Sequence, residues 1–452
     1  MVRWVYNLLM CSLLPAAVPL VAGHLVLSTK RRKTFSRRMG FGPVPAFTAA
    51  ERPRGPREGR LWVHALSVGE VLSASPLLQE LRRRERHREI WFSASTATGI
   101  ETARKTLSSI VDAVFHYPYD LLFSVRRITG AVSPSAVIIV ESDLWPNFLF
   151  EMCHRGVPVA LVNARISSRS YRGYRRLRPL TAAMFRTLSF VGAQTEEDRL
   201  RLRSLGVRPG ALRTTGNMKY DRPPPVPDPM DGSGLGRCLG ADGNREIVVA
   251  GSTHPGEEEI LRSCFERLRL QFPDLLLVVV PRDPERSESV CRIFRSGGRF
   301  TVCRSSRSAD PAGPRPDVTV VDTMGLLSRI YGISRAAFVG GSLVEAGGHN
   351  PLEPAALAKP VVFGPHTEDF SDICRALQTE GGAFRVHSPE ALENTLARLL
   401  KDPLAAERAG RRARRVVEAN RGAAARNVDG IADMLAGASP GDHCPASGGG
   451  SC

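Results

Sequence analysis

Six apolar runs rich in β-branched residues recur through the first half of the chain, at 61–66 (LWVHAL), 89–95 (EIWFSAS), 111–118 (VDAVFHYP), 136–141 (AVIIVE), 158–164 (PVALVNA) and 190–194 (FVGAQ). Helix-length segments separate them. Continuous apolar runs interleaved with helices indicate parallel strands covered on both faces. The rhythm stops at 221–244, a stretch of Pro, Gly and Asp without periodicity that reads as an interdomain linker. It restarts at 246–252, 275–281, 300–304, 318–323, 336–342 and 360–365. A chain of 452 residues is also too long for one compact core. The expected fold is therefore α/β, with two tandem doubly wound, Rossmann-like domains. The expected division is an N-terminal anchor at 1–38, a first domain at 39–220, the linker at 221–244, a second domain at 245–436 and a disordered tail at 437–452.

From Trp4 to Leu27 there is no Asp, Glu, Lys or Arg. At about 1.5 Å rise per residue, a helix of that length covers the roughly 30 Å hydrocarbon core of a bilayer. Asn7, Pro15, Pro19 and His24 interrupt it, so a helix lying in the interface also fits. Lys30-Arg31-Arg32-Lys33 and Arg37-Arg38 follow directly, which puts the rest of the chain in the cytoplasm. A cleaved signal peptide is disfavoured, because its charges precede the apolar core, where only Arg3 stands. Lys+Arg outnumber Asp+Glu by 62 to 45, a net +17 that calls for a polyanionic partner such as anionic lipid or a phosphorylated substrate. No RRM, KH or zinc pattern accompanies the charge, so nucleic acid is not the expected partner. The nine cysteines are scattered without metal-ligand spacing and read as reduced thiols.

Ligands of open α/β sheets bind outside the carboxyl ends of strands, where the strand order reverses. With the common order 3-2-1-4-5 in each half, the turns after the first and fourth strands face one crevice. In the first half these turns carry Glu70 (Ser67-Val68-Gly69-Glu70) and Glu141 (Glu141-Ser142-Asp143-Leu144-Trp145-Pro146-Asn147). Two carboxylates in a cleft raise one another's pKa and offer a general base. Glu70 fits equally well as an ordinary first-turn carboxylate facing the helix dipole, which would make it a weaker base.

In the second half the first strand ends in Ser252-Thr253-His254-Pro255-Gly256, whose helix-opening N–H groups suit phosphate. Pro281-Arg282 offers a guanidinium to an anion. Thr323-Met324-Gly325-Leu326 and Gly347-Gly348-His349-Asn350-Pro351-Leu352-Glu353 follow later strands, and Glu353 can accept from both ribose hydroxyls. His64 and His254 read as structural histidines. No GxGxxG, Walker A loop or D-x-D pair is present, which disfavours hydride transfer, ATP hydrolysis and metal-dependent glycosyl transfer.

The motifs SVGE, E-x-D-LWPN, NARIS-x-RS-x-RGYRR, GNMKYD, GSTHPGEE, VPR-x-PER, DTMG, FVGGSL, GGHNPLEPA and FGPHT, in this order from about residue 30 to 430, resemble the bacterial Kdo transferases of lipopolysaccharide synthesis, of the glycosyltransferase family 30 type. The resemblance implies the two-domain GT-B fold. It also implies inverting, metal-independent transfer of 3-deoxy-D-manno-octulosonic acid (Kdo) from CMP-Kdo to a lipid A precursor at the cytoplasmic face of the inner membrane, with no cofactor. Glu70 matches the family's base, and Glu141 and Lys219 match positions that stabilise the transition state. The CMP contacts match Pro281, Arg282, Met324, Gly325, Leu326, Asn350, Pro351, Leu352 and Glu353, with Ser252 and Gly348 beside them.

Arg37, Arg38, Arg165 and Arg172 are assigned to the acceptor and to anionic inner-membrane lipids; each also fits a solvated surface. Two departures stand out: Asp283 where the family usually has His, and Leu326 where it has an acidic residue. A GT-B enzyme using a UDP-sugar on a membrane glycolipid is the alternative.

Overall fold

The computed structural model describes residues 3, 4, 6–8, 10, 12, 29–42, 44, 47–48, 59–141, 143–222, 236, 239–241, 245–307 and 315–437. The chain divides into two compact units, one comprising Met1–Arg222 with Arg421–Cys452, the other Pro223–Asn420. Each is a parallel-sheet α/β domain of the Rossmann-like, GT-B-like kind.

The first unit holds eight strands: β1 (Phe47–Thr48), β2 (Arg60–Ala65), β3 (Glu89–Ala94), β4 (Ala113–His116), β5 (Ala136–Val140), β6 (Val159–Ala164), β7 (Phe190–Ala193) and β8 (Leu212–Thr214). Their order is β1-β4-β3-β2-β5-β6-β7-β8, parallel except for the edge pair β1/β4. β2 shows why its sequence reads as a continuous apolar run. Leu61, Val63 and Ala65 point to one face, against the helices Val68–Arg84 and Ala423–Ala436. Trp62 points to the other, where its ring meets Phe115 at 5.2 Å and Phe148 at 5.0 Å. Full burial of such side chains stabilises by roughly 1.5–3 kcal/mol each. The order reverses between β2 and β5, which puts the turns bearing Glu70 and Glu141 at one switch point.

The second unit holds β9 (Ile247–Thr253), β10 (Leu276–Pro281), β11 (Val302–Arg304), β12 (Val318–Val320), β13 (Ala336–Val339), β14 (Val361–Phe363) and β15 (Ala383–Arg385). Their order is β11-β12-β10-β9-β13-β14-β15, all parallel. Here the expected 3-2-1-4-5 order needs correction. The third run, 300–304, supplies a three-residue edge strand, β11, and the fourth, β12, inserts between it and β10. The neighbour of β9 across the switch is therefore the fifth run, β13.

The expected second domain at 245–436 ends instead at Asn420. The helix Ala423–Ala436 returns to the first unit because Val428, Ile431 and Met434 complete the core under β2 and β6. The Asp221 carboxylate holds that helix's first turn, accepting from the N–H groups of Gly422 and Ala424 at 2.6 Å each.

The expected anchor lies largely outside the described residues, and among the described residues no helix is long and apolar enough to cross a membrane. Its described part binds the first unit through polar side chains. Arg3 pairs with Glu151 at 2.8 Å, Tyr6 donates to Asp120 at 2.9 Å, and Asn7 exchanges amide hydrogen bonds with Asn147 at 2.8 and 2.9 Å. Trp4 and Leu8 are exposed. Most of the linker, and the tail past residue 437, lie outside the described residues.

Candidate active site

In the first unit three side chains converge at the ends of β2, β5 and β8. Ser67 caps the helix Val68–Arg84, with its hydroxyl facing the Glu70 N–H at 3.5 Å. The Glu70 carboxylate folds back to accept from the Leu66 N–H at 2.6 Å, a close variant of the capping box. A carboxylate that served only as a cap in water would be a weak base. Glu70 is not in that situation: burial, then the Glu141 charge and with a lesser share Asp143, push its carboxyl up from 4.5 to about 8, against the opposing Leu66 N–H and Lys219. Burial and Glu141 thus outweigh the helix terminus.

Glu141 sits just past β5 with φ 68°, and Asn163 near the end of β6 has φ 53°. Left-handed backbone at a glutamate is strained, whereas an asparagine adopts it more readily, and such strain concentrates where side chains must be aimed. The two are joined, Asn163 donating to Glu141 at 3.4 Å. Asn163 also accepts from the Met218 N–H at 2.9 Å, and Asn217 accepts from the Lys219 N–H at 2.9 Å. One buried amide therefore sets both the acid and the short turn Met218–Asp221 that carries Lys219.

Among the arginines, Arg38 belongs to this end of the sheet. It donates to the Tyr117 carbonyl at 3.1 Å, lies 4.0 Å over the Tyr119 ring and feels the Asp143 charge. Arg37 is near enough for its charge to act on His116. Arg165 is half-buried just past β6. Arg172 is exposed on the helix Ser168–Arg176, which buries none of its residues.

In the second unit, Pro281 is buried at the end of β10 and Arg282 is exposed beyond it, its N–H donating to the Thr253 carbonyl at 3.0 Å. Ser252, with φ 57°, lies under Gly340, where an added Cβ would come within 2.5 Å of the Ser252 carbonyl oxygen. Two separate turns meet over the β9 side: Ser328, in the helix after Leu326, donates to Glu353 at 2.6 Å, and Asn350 donates to Glu353 at 3.4 Å. Asn350 also accepts from the Leu352 N–H at 3.1 Å, closing the turn before the helix Leu352–Ala356. Met324 is 78% exposed and Gly325 has φ 86°, while Leu326 packs inward against the core. Pro351 and Leu352 are buried. Gly348 has φ 75°, and a Cβ there would lie 2.9 Å from the His366 carbonyl oxygen. Asp283 accepts from the Glu285 N–H at 3.0 Å and caps a local turn.

Several residues of this layer were not legible in the sequence. Glu257, fully buried, accepts from the N–H groups of His254, Gly341, Ser342 and Leu343 at 2.7–3.0 Å and so shapes the loops after β9 and β13. His254 and His349 share a hydrogen bond between their Nε2 atoms at 2.8 Å. Burial, then the charges of Arg282 and His254, hold His349 down to about 4. His64, fully buried, bonds Asp143 at 2.8 Å. Apart from His254 and Glu257, three residues apart, these partners are distant in sequence, and no local pattern announces them.

Residues 33–222 match the family described as 3-deoxy-D-manno-octulosonic-acid transferase (kdotransferase), and residues 259–416 match glycosyl transferases group 1. The chain is 36% identical over 430 residues to the 3-deoxy-D-manno-octulosonic acid transferase of Haemophilus influenzae, covering 94% of this chain and 97% of that protein. It is 31% identical over 406 residues to the Bordetella pertussis enzyme of the same name, covering 87% and 92%. Among solved structures, the UDP-GlcNAc 2-epimerase of Neisseria meningitidis bound to UDP-GlcNAc aligns with a TM-score of 0.59 at 14% identity, over 83% of this chain and 100% of that one, a likeness of fold alone.

Proposed function

Because the chain belongs to the 3-deoxy-D-manno-octulosonic acid transferase family, and so is a glycosyltransferase of lipopolysaccharide synthesis, we propose that it moves Kdo from CMP-Kdo to a lipid A precursor of the tetraacyldisaccharide bisphosphate type. The reaction is a single displacement with inversion, without a metal, at the cytoplasmic face of the inner membrane. The observation that carries this reading is the grouping of Glu70, Glu141 and Lys219, with Glu70 pushed up to about 8.

Glu70 is the base. An acceptor hydroxyl attacks the anomeric carbon of Kdo as the bond from that carbon to the CMP phosphate oxygen breaks, and the hydroxyl proton passes to the Glu70 carboxylate. A base with a pKa near the working pH takes a proton more readily than an ordinary carboxylate. The strained Glu141 stabilises the positive charge that develops at the anomeric carbon, and Lys219 faces the negative charges of the reacting groups. In the second unit Arg282 neutralises the departing phosphate, Glu353 and Asn350 hold the ribose, and the backbone at Met324 to Leu326 receives the base. The basic segment at Arg37 and Arg38, and the exposed helix bearing Arg172, meet the acceptor phosphates and the anionic bilayer. The described N-terminal residues, bound through Arg3, Tyr6 and Asn7 with Trp4 and Leu8 outward, fit a membrane-surface role.

The test is turnover with each donor. Purified protein with lipid A precursor releases CMP from CMP-Kdo and leaves UDP-sugars untouched; the opposite preference would replace this reading with the UDP-sugar alternative.

A further inference from the structure

Trp145 is an unusual residue to find before a helix. It occupies the N-cap of the helix Pro146–His154 and makes no side-chain cap hydrogen bond, whereas that position favours Ser, Thr, Asp or Asn. The cap is supplied from elsewhere: Asp120 accepts from the N–H groups of Asn147 and Phe148 at 3.0 and 2.9 Å. Local structure therefore gives no reason for an indole here, and 39% of it is exposed.

That indole is nonetheless held by a chain of buried groups. Its Nε1–H donates to Asp143 Oδ1 at 2.7 Å. Asp143 Oδ2 faces His64 Nε2 at 2.8 Å, and His64 Nδ1 faces the Ser93 hydroxyl at 3.0 Å. The Ser93 hydroxyl in turn accepts from Trp62 Nε1 at 2.7 Å. His64 Nδ1 also faces the Ser93 carbonyl oxygen at 3.1 Å, and His64 donates from Nε2 to Asp143. The His64 ring is further clamped by Tyr117, stacked at 3.7 Å. Asp143 is 8% exposed and His64 0%. A surface tryptophan can give its N–H to water; here a buried carboxylate and imidazole, costly to desolvate, serve to fix its plane. Asp143, bonded to His64 near the end of β2, is also close enough to act on Glu70, whose carboxylate is held two residues further on at Leu66, and on Arg38.

We propose that Trp145 is the platform on which a pyranose ring of the acceptor glycolipid stacks beside Glu70, and that Ser93, His64 and Asp143 are positioning residues that hold its plane. The proposal rests on the reading of the protein as a transferase acting on a glycolipid. A sugar ring presents an apolar C–H face that suits an indole, and a fixed face loses little entropy on binding. The Arg38 guanidinium, which feels the same Asp143 carboxylate, suits a phosphorylated sugar.

The experiment uses the full chain and the fully deacylated disaccharide bisphosphate as a soluble acceptor. Trp145→Ala raises KM for it by about tenfold with kcat within about threefold, and Trp145→Phe, which keeps an aromatic face but loses the N–H that Asp143 holds, recovers only part of the loss. Without any donor, the deacylated disaccharide shields wild-type tryptophan fluorescence from acrylamide, and the shielding is lost in Trp145→Ala. An unchanged KM in Trp145→Ala, an equal loss in Trp145→Phe, or a defect seen only with vesicle-embedded acceptor, which would mark Trp145 as a bilayer contact, would each overturn the proposal. If instead the wild type shields its indole but releases no CMP from CMP-Kdo, the transferase reading fails and the platform stands.

Discussion

Glu141→Gln removes one negative charge beside Glu70 while keeping the side chain's size and its acceptor for the Asn163 amide. The base must be ionised to act, so kcat/KM rises with pH through the pKa of free-enzyme Glu70. With that value at about 8, roughly one carboxyl in ten is ionised at pH 7. The rate should therefore climb close to tenfold per pH unit from 6 to 7 and level off above 8. Burial is the largest cause of the raised value and remains in the variant; the Glu141 charge is the second and is lost. The acid limb should move down by on the order of one pH unit, staying well above an ordinary glutamate. The plateau also falls if Glu141 stabilises the transition state, so the position of the limb is the readout. Initial rates of CMP release at subsaturating acceptor from pH 5.5 to 9.5 give both profiles. A wild-type limb below about pH 6 would show that Glu70 is not the raised base, and an unmoved limb in Glu141→Gln would show that the Glu141 charge does not act on it.

Glu70 also links pH to stability. Its folded pKa lies above 4.5, so between 4.5 and about 8 the folded chain holds a proton that the unfolded chain has lost. Stability attributable to this site falls as pH rises through that window, by at most about 5 kcal/mol before solvent screening is allowed for. Glu70→Gln should accordingly stabilise the protein in urea melts at pH 9 and not at pH 4.5, while abolishing turnover. Gly348→Ala puts a Cβ 2.9 Å from the His366 carbonyl oxygen at φ 75°; it should cost about 1–3 kcal/mol and weaken CMP binding by calorimetry through the displaced Asn350 turn. Truncation after Asn420 removes Val428, Ile431 and Met434 from the core of the first unit. Hydrogen exchange should then rise in β2, β5 and β6 while the strands of the second unit keep their protection.

Much of the fold was legible because both sheets are covered on both faces, so each central strand announces itself as an apolar run bounded by turn residues. β1, β8 and β15 were missed for the converse reason: they are edge strands of two or three residues whose sequences carry no alternation. The order of the second sheet could not be read, since nothing in the 300–304 run says that a later strand will pair inside it. The last helix was assigned by sequence adjacency, whereas the apolar stripe at Val428, Ile431 and Met434 belongs to the core of the first unit. At the site, Glu70 and Glu141 were visible as acids at strand ends. Their setting was not: Asn163 lies inside an ordinary strand sequence and is decided by a left-handed backbone and two distant partners. His64 likewise reads as a structural histidine until Asp143 and Trp145 are seen beyond it.

The proposed reaction adds Kdo to a lipid A precursor with Glu70 as base. The mass of the precursor after incubation with CMP-Kdo, measured for wild type and for Glu70→Gln at matched CMP affinity, tests it directly. The precursor should gain one or more Kdo residues with the wild type and none above background with the variant. An unchanged mass with the wild type, or an equal gain with Glu70→Gln, would contradict it.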